Sequence, residues 1–232
     1  MNLTIKEIIL FGWNTTKKNY MNVLFVFALT FLINGVLQFA IEVVGGKGNL
    51  GGVLGVILTL AFVFIDVLFQ IGVTKEALVI IRGGEGDIKK TFSYSRLFFK
   101  AVFAWIVYGI FLVGIFVAII IPFMIVSFLF KSIFVLIAGF IIALVAEFLA
   151  VAVLGFSRTI VIDRETGPLE SLRLSILITK GVVKKLILIF LFLALFNLLG
   201  LILFVVGLLI TVPVTYFSIL FVYNSLLLRQ NK

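Results

Sequence analysis

The stretch Asp87–Lys100, DIKKTFSYSRLFFK, lies between two apolar runs, and its reading decides how the rest of the chain is laid out. A helix turning about 100° per residue would gather Ile88, Phe92, Ser95 and Phe99 on one side. Lys89, Ser93, Arg96 and Lys100 would fall on the other. A long apolar run begins at once, at Ala101. The pattern predicts a basic amphipathic helix resting in the membrane plane and feeding a membrane hairpin, an arrangement the sequence makes three times.

Working outward, 63% of the 232 residues are hydrophobic and the mean hydropathy is +1.36. Apolar runs of about 20 residues, enough to cross a bilayer, recur along the chain. Lipid is therefore the solvent for most of it, and the polar stretches are too short to form a separate soluble domain. One membrane domain over residues 1–232 is the simplest count. Cysteine and histidine are both absent. That excludes thiol nucleophiles, disulfides, imidazole bases and nearly all zinc, copper and haem sites, so no cofactor is expected.

Residues 1–20 carry Lys6 and Glu7 inside their apolar stretch, and no small-residue cleavage pattern follows. They read as an interfacial amphipathic helix, with Ile5, Ile8, Ile9, Gly12 and Thr16 on one face, rather than as a signal peptide. Six spans follow, at about 21–44, 53–73, 101–123, 133–155, 186–199 and 201–223. The glycine-rich segment Gly45–Gly52 is expected as a flexible turn, Lys131-Ser132 as a second, and Gly200 as a minimal third. Pro168 after Gly167 reads as the first position of a helix.

The basic residues orient these spans. Of the 19 Lys and Arg, only Lys47 and Lys131 fall in the loops of one side; the rest occupy the N-terminal segment, the loops near 74–100 and 156–185, and the tail. The positive-inside rule then places both termini in the cytoplasm. The net charge of +9 is explained by this asymmetry, with membrane phospholipids as the anionic partner and no need for nucleic acid.

Short likenesses suggest an internal repeat. Asn14-Thr15-Thr16-Lys17 resembles Leu177-Ile178-Thr179-Lys180 at an offset of 163, and Gly72-Val73-Thr74-Lys75 resembles Gly155-Phe156-Ser157-Arg158 at an offset of 83. Each unit would be one in-plane helix and two spans. Shared composition would produce the same likeness, so both readings stand.

The segments Gly72-Val73-Thr74-Lys75-Glu76-Ala77 with Arg82-Gly83-Gly84-Glu85, and Leu169-Glu170-Ser171-Leu172-Arg173-Leu174-Ser175 with Thr179-Lys180-Gly181, carry a resemblance. They are similar to YciC-like bacterial inner-membrane proteins and to the membrane domain attached to some glycerophosphoryl diester phosphodiesterases. The resemblance implies an all-α, six-span inner-membrane protein. It does not imply phosphodiesterase chemistry, which resides in a separate, histidine-containing domain.

Candidate site residues come from polar groups inside the spans. Thr30, Asn34, Gln38 and Glu42 recur every four residues, and Thr59, Asp66, Gln70 and Thr74 share a face of the second span. One reading is a hydrated cavity or polar ligand site between the two spans. The other is hydrogen bonding that fixes packing, at about 0.6 kcal/mol per contact. The second is preferred because only Asp66 is ionisable deep in the membrane. Glu147, beside Gly139, Ala143, Ala146 and Ala150, reads as a proton-relay carboxylate, as a protonated one, or as a group reaching the boundary near Arg158. Its small neighbours mark a close helix contact. A pairing of Asp66 with Glu147 as a protease lacks the glycine contexts such enzymes show, and Gly83–Asp87 lacks the lysine of a phosphate loop. Trp13, Tyr20, Tyr94, Tyr216 and Tyr223 read as interfacial anchors. Lys89, Arg96 and Lys100 are the expected membrane-surface residues.

These features favour a non-enzymatic membrane subunit or scaffold handling lipid or another apolar substrate. The alternative is the permease subunit of a small exporter driven by a separate ATPase.

Overall fold

The computed structural model describes residues 4–20, 32, 35–36, 39, 42–43, 48–202 and 204–230. Every element among them is helical. The helices are α1 (Ile5–Lys18), α2 (Gly48–Ile81), a 3-10 helix (Ile88–Leu97), α3 (Phe98–Phe130), α4 (Ile133–Leu154), α5 (Ser157–Arg164), α6 (Pro168–Thr179), α7 (Val183–Ile202) and α8 (Phe204–Gln230). Five stretches among the described residues are long and apolar enough to cross a membrane: Val53–Ile81, Ser93–Phe130, Ile133–Arg164, Val183–Ile202 and Gly207–Gln230. The expected first span, 21–44, falls mostly outside the described residues. Large apolar side chains cover the outside of these helices, with Phe128, Phe134 and Phe130 at least three-quarters exposed. Such surface is costly in water and costs nothing against lipid tails. The chain is a multi-pass membrane protein by this measure.

Several boundaries differ from the sequence reading. Residues 48–52, expected as a turn, are the first turns of α2, and 74–81, expected as loop, are its last. At 1.5 Å per residue, the 34 residues of α2 run about 50 Å, well past a hydrocarbon core of about 30 Å. Helical hydrogen bonding satisfies the backbone on both sides of that boundary, so the helix need not stop where its apolar residues do. The third span, expected to end near residue 123, likewise continues to Phe130, with Pro122 inside the helix. Gly200 lies inside α7 rather than at a turn. Its missing Cβ makes room for the Thr211 side chain of α8, so the glycine serves a close helix crossing. The turns at Lys131-Ser132 and at Gly167-Pro168 stand where expected, with Lys131 left-handed at φ 48° and Pro168 at the start of α6 behind Gly167 as its cap.

The stretch 87–100 differs most. Its first part is a 3-10 helix, with Tyr94 off helical geometry at φ −92° and ψ 18°, running directly into α3. A 3-10 helix stacks every third residue, which aligns Thr91, Tyr94 and Leu97. Thr91 and Leu97 are buried at 2% and 1% exposure, with Tyr94 half-buried between them. Phe99 is 80% exposed and Ser95 is exposed as well, while the side chains of Ile88 and Phe92 lie outside the described residues. Lys90, Ser93 and Arg96 form the exposed row, and Lys100 is exposed beyond it.

The chain forms two compact units. One comprises Asn2–Phe98 and Leu193–Ser225, the other Phe99–Phe192 and Leu226–Lys232. In the first, α1 is started by a capping box in which Thr4 and Glu7 bond reciprocally to each other's backbone. It packs on α8: Ser218 Oγ donates to Ile8 O at 3.1 Å, and the rings of Phe11 and Phe221 stack with centroids 3.9 Å apart. In the second unit, α3 and α4 form a hairpin in which Gly139 admits the Phe123 side chain and Ala143 is fully buried. There α6 is held to α4 by Ser175 Oγ, which donates to Val153 O at 2.6 Å. Tyr108, Leu154 and Leu172 form a core contact between α3, α4 and α6.

Candidate functional site

Of the predicted polar residues, Asp66 and Gln70 belong to the first unit and Glu147 to the second. Thr30, Asn34 and Gln38 lie outside the described residues. Asp66 and Gln70 sit one turn apart on α2, and Gln70 Nε2 donates to the Asp66 carboxylate at 2.6 Å. One turn further, the Thr74 hydroxyl donates to Gln70 O at 2.7 Å and meets the Tyr216 hydroxyl of α8 at 2.8 Å. Thr59 donates to Gly55 O, within its own helix. The polar face of α2 is therefore a ladder of local bonds with one cross-helix link. On α7, Asn197 Nδ2 donates to the Thr215 hydroxyl of α8 at 2.9 Å.

The densest polar constellation of this unit is one step past the ladder and centres on Glu76, which is 8% exposed. Its carboxylate receives the Tyr94 hydroxyl at 2.8 Å through one oxygen and the Asp87 backbone N–H at 2.7 Å through the other. Lys75 lies 5.9 Å from the Tyr94 ring centroid, within cation–π range. Near the end of α2, Arg82 Nε donates to Asn224 Oδ1 at 3.3 Å. Glu76 thus clamps the turn after α2 and the 3-10 helix to the helix itself. Sequence reasoning placed Tyr94 and Tyr216 as interfacial anchors, yet both spend their hydroxyls on protein partners, and Tyr223 is fully buried. Trp13 and Tyr20 are exposed, at 44% and 55%, as anchors would be.

Glu147 belongs to the other unit. One of its carboxyl oxygens is buried with no hydrogen-bond partner, as is Trp105 Nε1 of α3. The Arg158 guanidinium lies 5.1 Å from the centroid of the Tyr108 ring, within cation–π range. A buried oxygen without a partner costs about 1–3 kcal/mol. Glu147→Leu is therefore expected to raise the thermal midpoint in detergent by a few degrees. A fall of that size would show that the carboxyl holds the unit together.

No group of three or more Asp or Glu close enough to hold a metal ion occurs among the described residues. Of the predicted surface residues, Arg96 and Lys100 are exposed, and Lys100 Nζ donates to Glu165 O at 3.2 Å. The side chain of Lys89 lies outside the described residues. No protein-family model, no curated protein and no solved structure matches this chain.

Proposed function

We propose that this chain is a non-enzymatic inner-membrane protein with six spans and cytoplasmic termini. In this reading it is a membrane subunit or scaffold handling lipid or another apolar substrate. The observation that carries it is the use made of polar side chains within the apolar helices. Among the described residues, Gln70 bonds Asp66, Thr74 bonds Tyr216 and Asn197 bonds Thr215, so polar side chains of the apolar helices pair with one another. The likeness to YciC-like proteins points the same way, and the apolar run 21–44 in the sequence has the length a sixth span requires.

The helix boundaries support a triplicated plan. An offset of 83 carries Gly48–Ile81 onto residues 131–164, where α4 and α5 run with only a two-residue joint. The same offset carries the 3-10 helix Ile88–Leu97 onto 171–180, overlapping α6. An offset of 163 carries α1 onto 168–181. In each case a short helix packs on a long one: α1 on α8, the 3-10 helix on α2, α6 on α4.

The test is the native complex. Purified in mild detergent, the chain is expected alone or as a homo-oligomer with phospholipid bound. A nucleotide-hydrolysing subunit recovered in fixed ratio with it would overturn this reading in favour of an exporter permease.

A further inference from the structure

A groove of about 570 Å³ opens where α7 begins and α8 ends, lined by Gly181, Val182, Val183, Lys184, Lys185 and Arg229. Three of these six residues are cationic, and no carboxylate is among the described residues lining it. The cations come from segments more than forty residues apart in the chain, so folding and not local sequence brings them together. Gly181 shapes this end of the groove. Its φ of +79° turns the chain sharply between α6 and α7, and the Arg229 guanidinium lies 3.7 Å from the point where a Cβ would stand. The groove also faces the positive end of the α7 dipole, which adds to the attraction of an anion.

Its position limits what that anion is. Val183–Ile202 and Gly207–Gln230 are both candidate membrane spans, and the groove lies at the first residues of one and the last of the other. It is therefore at a membrane boundary. Below it, Lys184 heads a row on α7 that continues through Leu188, Leu191 and Phe192, each about half exposed. Spacings of four, seven and eight residues put them on one helical face. A cationic head above an exposed apolar strip matches an amphiphile with an anionic head and acyl chains.

The geometry points to a binding site for the phosphate group of an anionic phospholipid, held by Lys184, Lys185 and Arg229 with its acyl chains along α7. This deepens the proposed lipid-handling role and rests on it. The phosphate is the shared chemistry; the apolar strip selects a lipid over free phosphate.

Native mass spectrometry of the full chain in detergent tests it, titrating dioleoyl phosphatidic acid, dioleoyl phosphatidylcholine and inorganic phosphate. Phosphatidic acid is expected to bind at least tenfold more tightly than phosphatidylcholine. Lys184→Gln with Arg229→Gln is expected to lose at least tenfold of that affinity, while Lys184→Arg keeps it. Both mutated side chains are exposed, and the single variants serve if the double one does not fold. Lys90→Gln with Arg96→Gln, on the other basic face, is expected to change binding less than twofold. Displacement of the lipid by equimolar inorganic phosphate would overturn the lipid assignment and leave a phosphate site. Equal losses from both basic faces, or no loss from the groove variants, would overturn the site itself. Those results would leave the membrane topology and the lone-chain expectation untouched, so failure here is distinct from failure of the proposed function.

Discussion

Gly139→Leu is expected to lower the thermal midpoint of the detergent-solubilised protein by roughly 6–10 °C. A Cβ at this position would stand inside the Phe123 side chain, against both its Cβ and its ring. The contact is between two adjacent helices, α3 and α4, joined by the turn at Lys131-Ser132, so neither can move away without displacing the hairpin. Overpacking of this kind costs about 1–3 kcal/mol, and more where the backbone has to give. Each kcal/mol corresponds to about 2–4 °C in a chain of this size. Gly114→Leu, on α3, provides the comparison. Nothing stands within 4 Å of a Cβ there, and leucine favours a helix over glycine by somewhat under 1 kcal/mol. That variant is expected to be unchanged or slightly more stable. Equal effects from the two leucines would mean that α3 and α4 do not meet at Gly139.

Glu76→Ala is expected to cost about 3 kcal/mol, read as a lower thermal midpoint and as faster proteolysis at 82–97. The substitution strips two donors, the Tyr94 hydroxyl and the Asp87 N–H, of the carboxylate that receives them in a nearly buried place. Hydrogen bonds to a charged acceptor contribute about 1.5–3 kcal/mol each, and orphaned partners add their own penalty. Tyr94→Phe removes one of the two bonds and is expected to lose about half as much. Combining the variants should cost less than their sum, because the Tyr94 contribution is already gone in Glu76→Ala. Strict additivity would mean the two groups do not interact.

Much of the fold was legible because membrane helices are governed by short-range rules. Apolar run length found five helices long enough to cross a membrane, Pro168 behind Gly167 found the start of α6, and the lone polar break at Lys131-Ser132 found the turn between α3 and α4. Gly139 and Ala143 were legible as a close contact because small residues in a span have few other uses. Span ends were not legible, since a helix such as α2 continues past the membrane on backbone hydrogen bonds that carry no compositional mark. The 3-10 form of 88–97, which aligns Thr91, Tyr94 and Leu97 against the protein, carries no mark in a pattern read at α-helical spacing. That row, read at a spacing of three, is visible in the sequence. The Glu76–Tyr94 link and the meeting of Lys184 with Arg229 were not, because each pairs groups that only tertiary structure brings together.

The central claim is the sidedness of the chain, with the basic segments facing the cytoplasm. The sequence contains no cysteine, so single introduced thiols report without background. Lys131→Cys and Lys100→Cys, both at exposed positions, can be treated in intact cells with a thiol reagent that does not cross membranes. The expected result is labelling of the first in intact cells and of the second only after permeabilisation. Labelling of the thiol at position 100 from outside, with position 131 protected, would contradict the orientation and every assignment built on it.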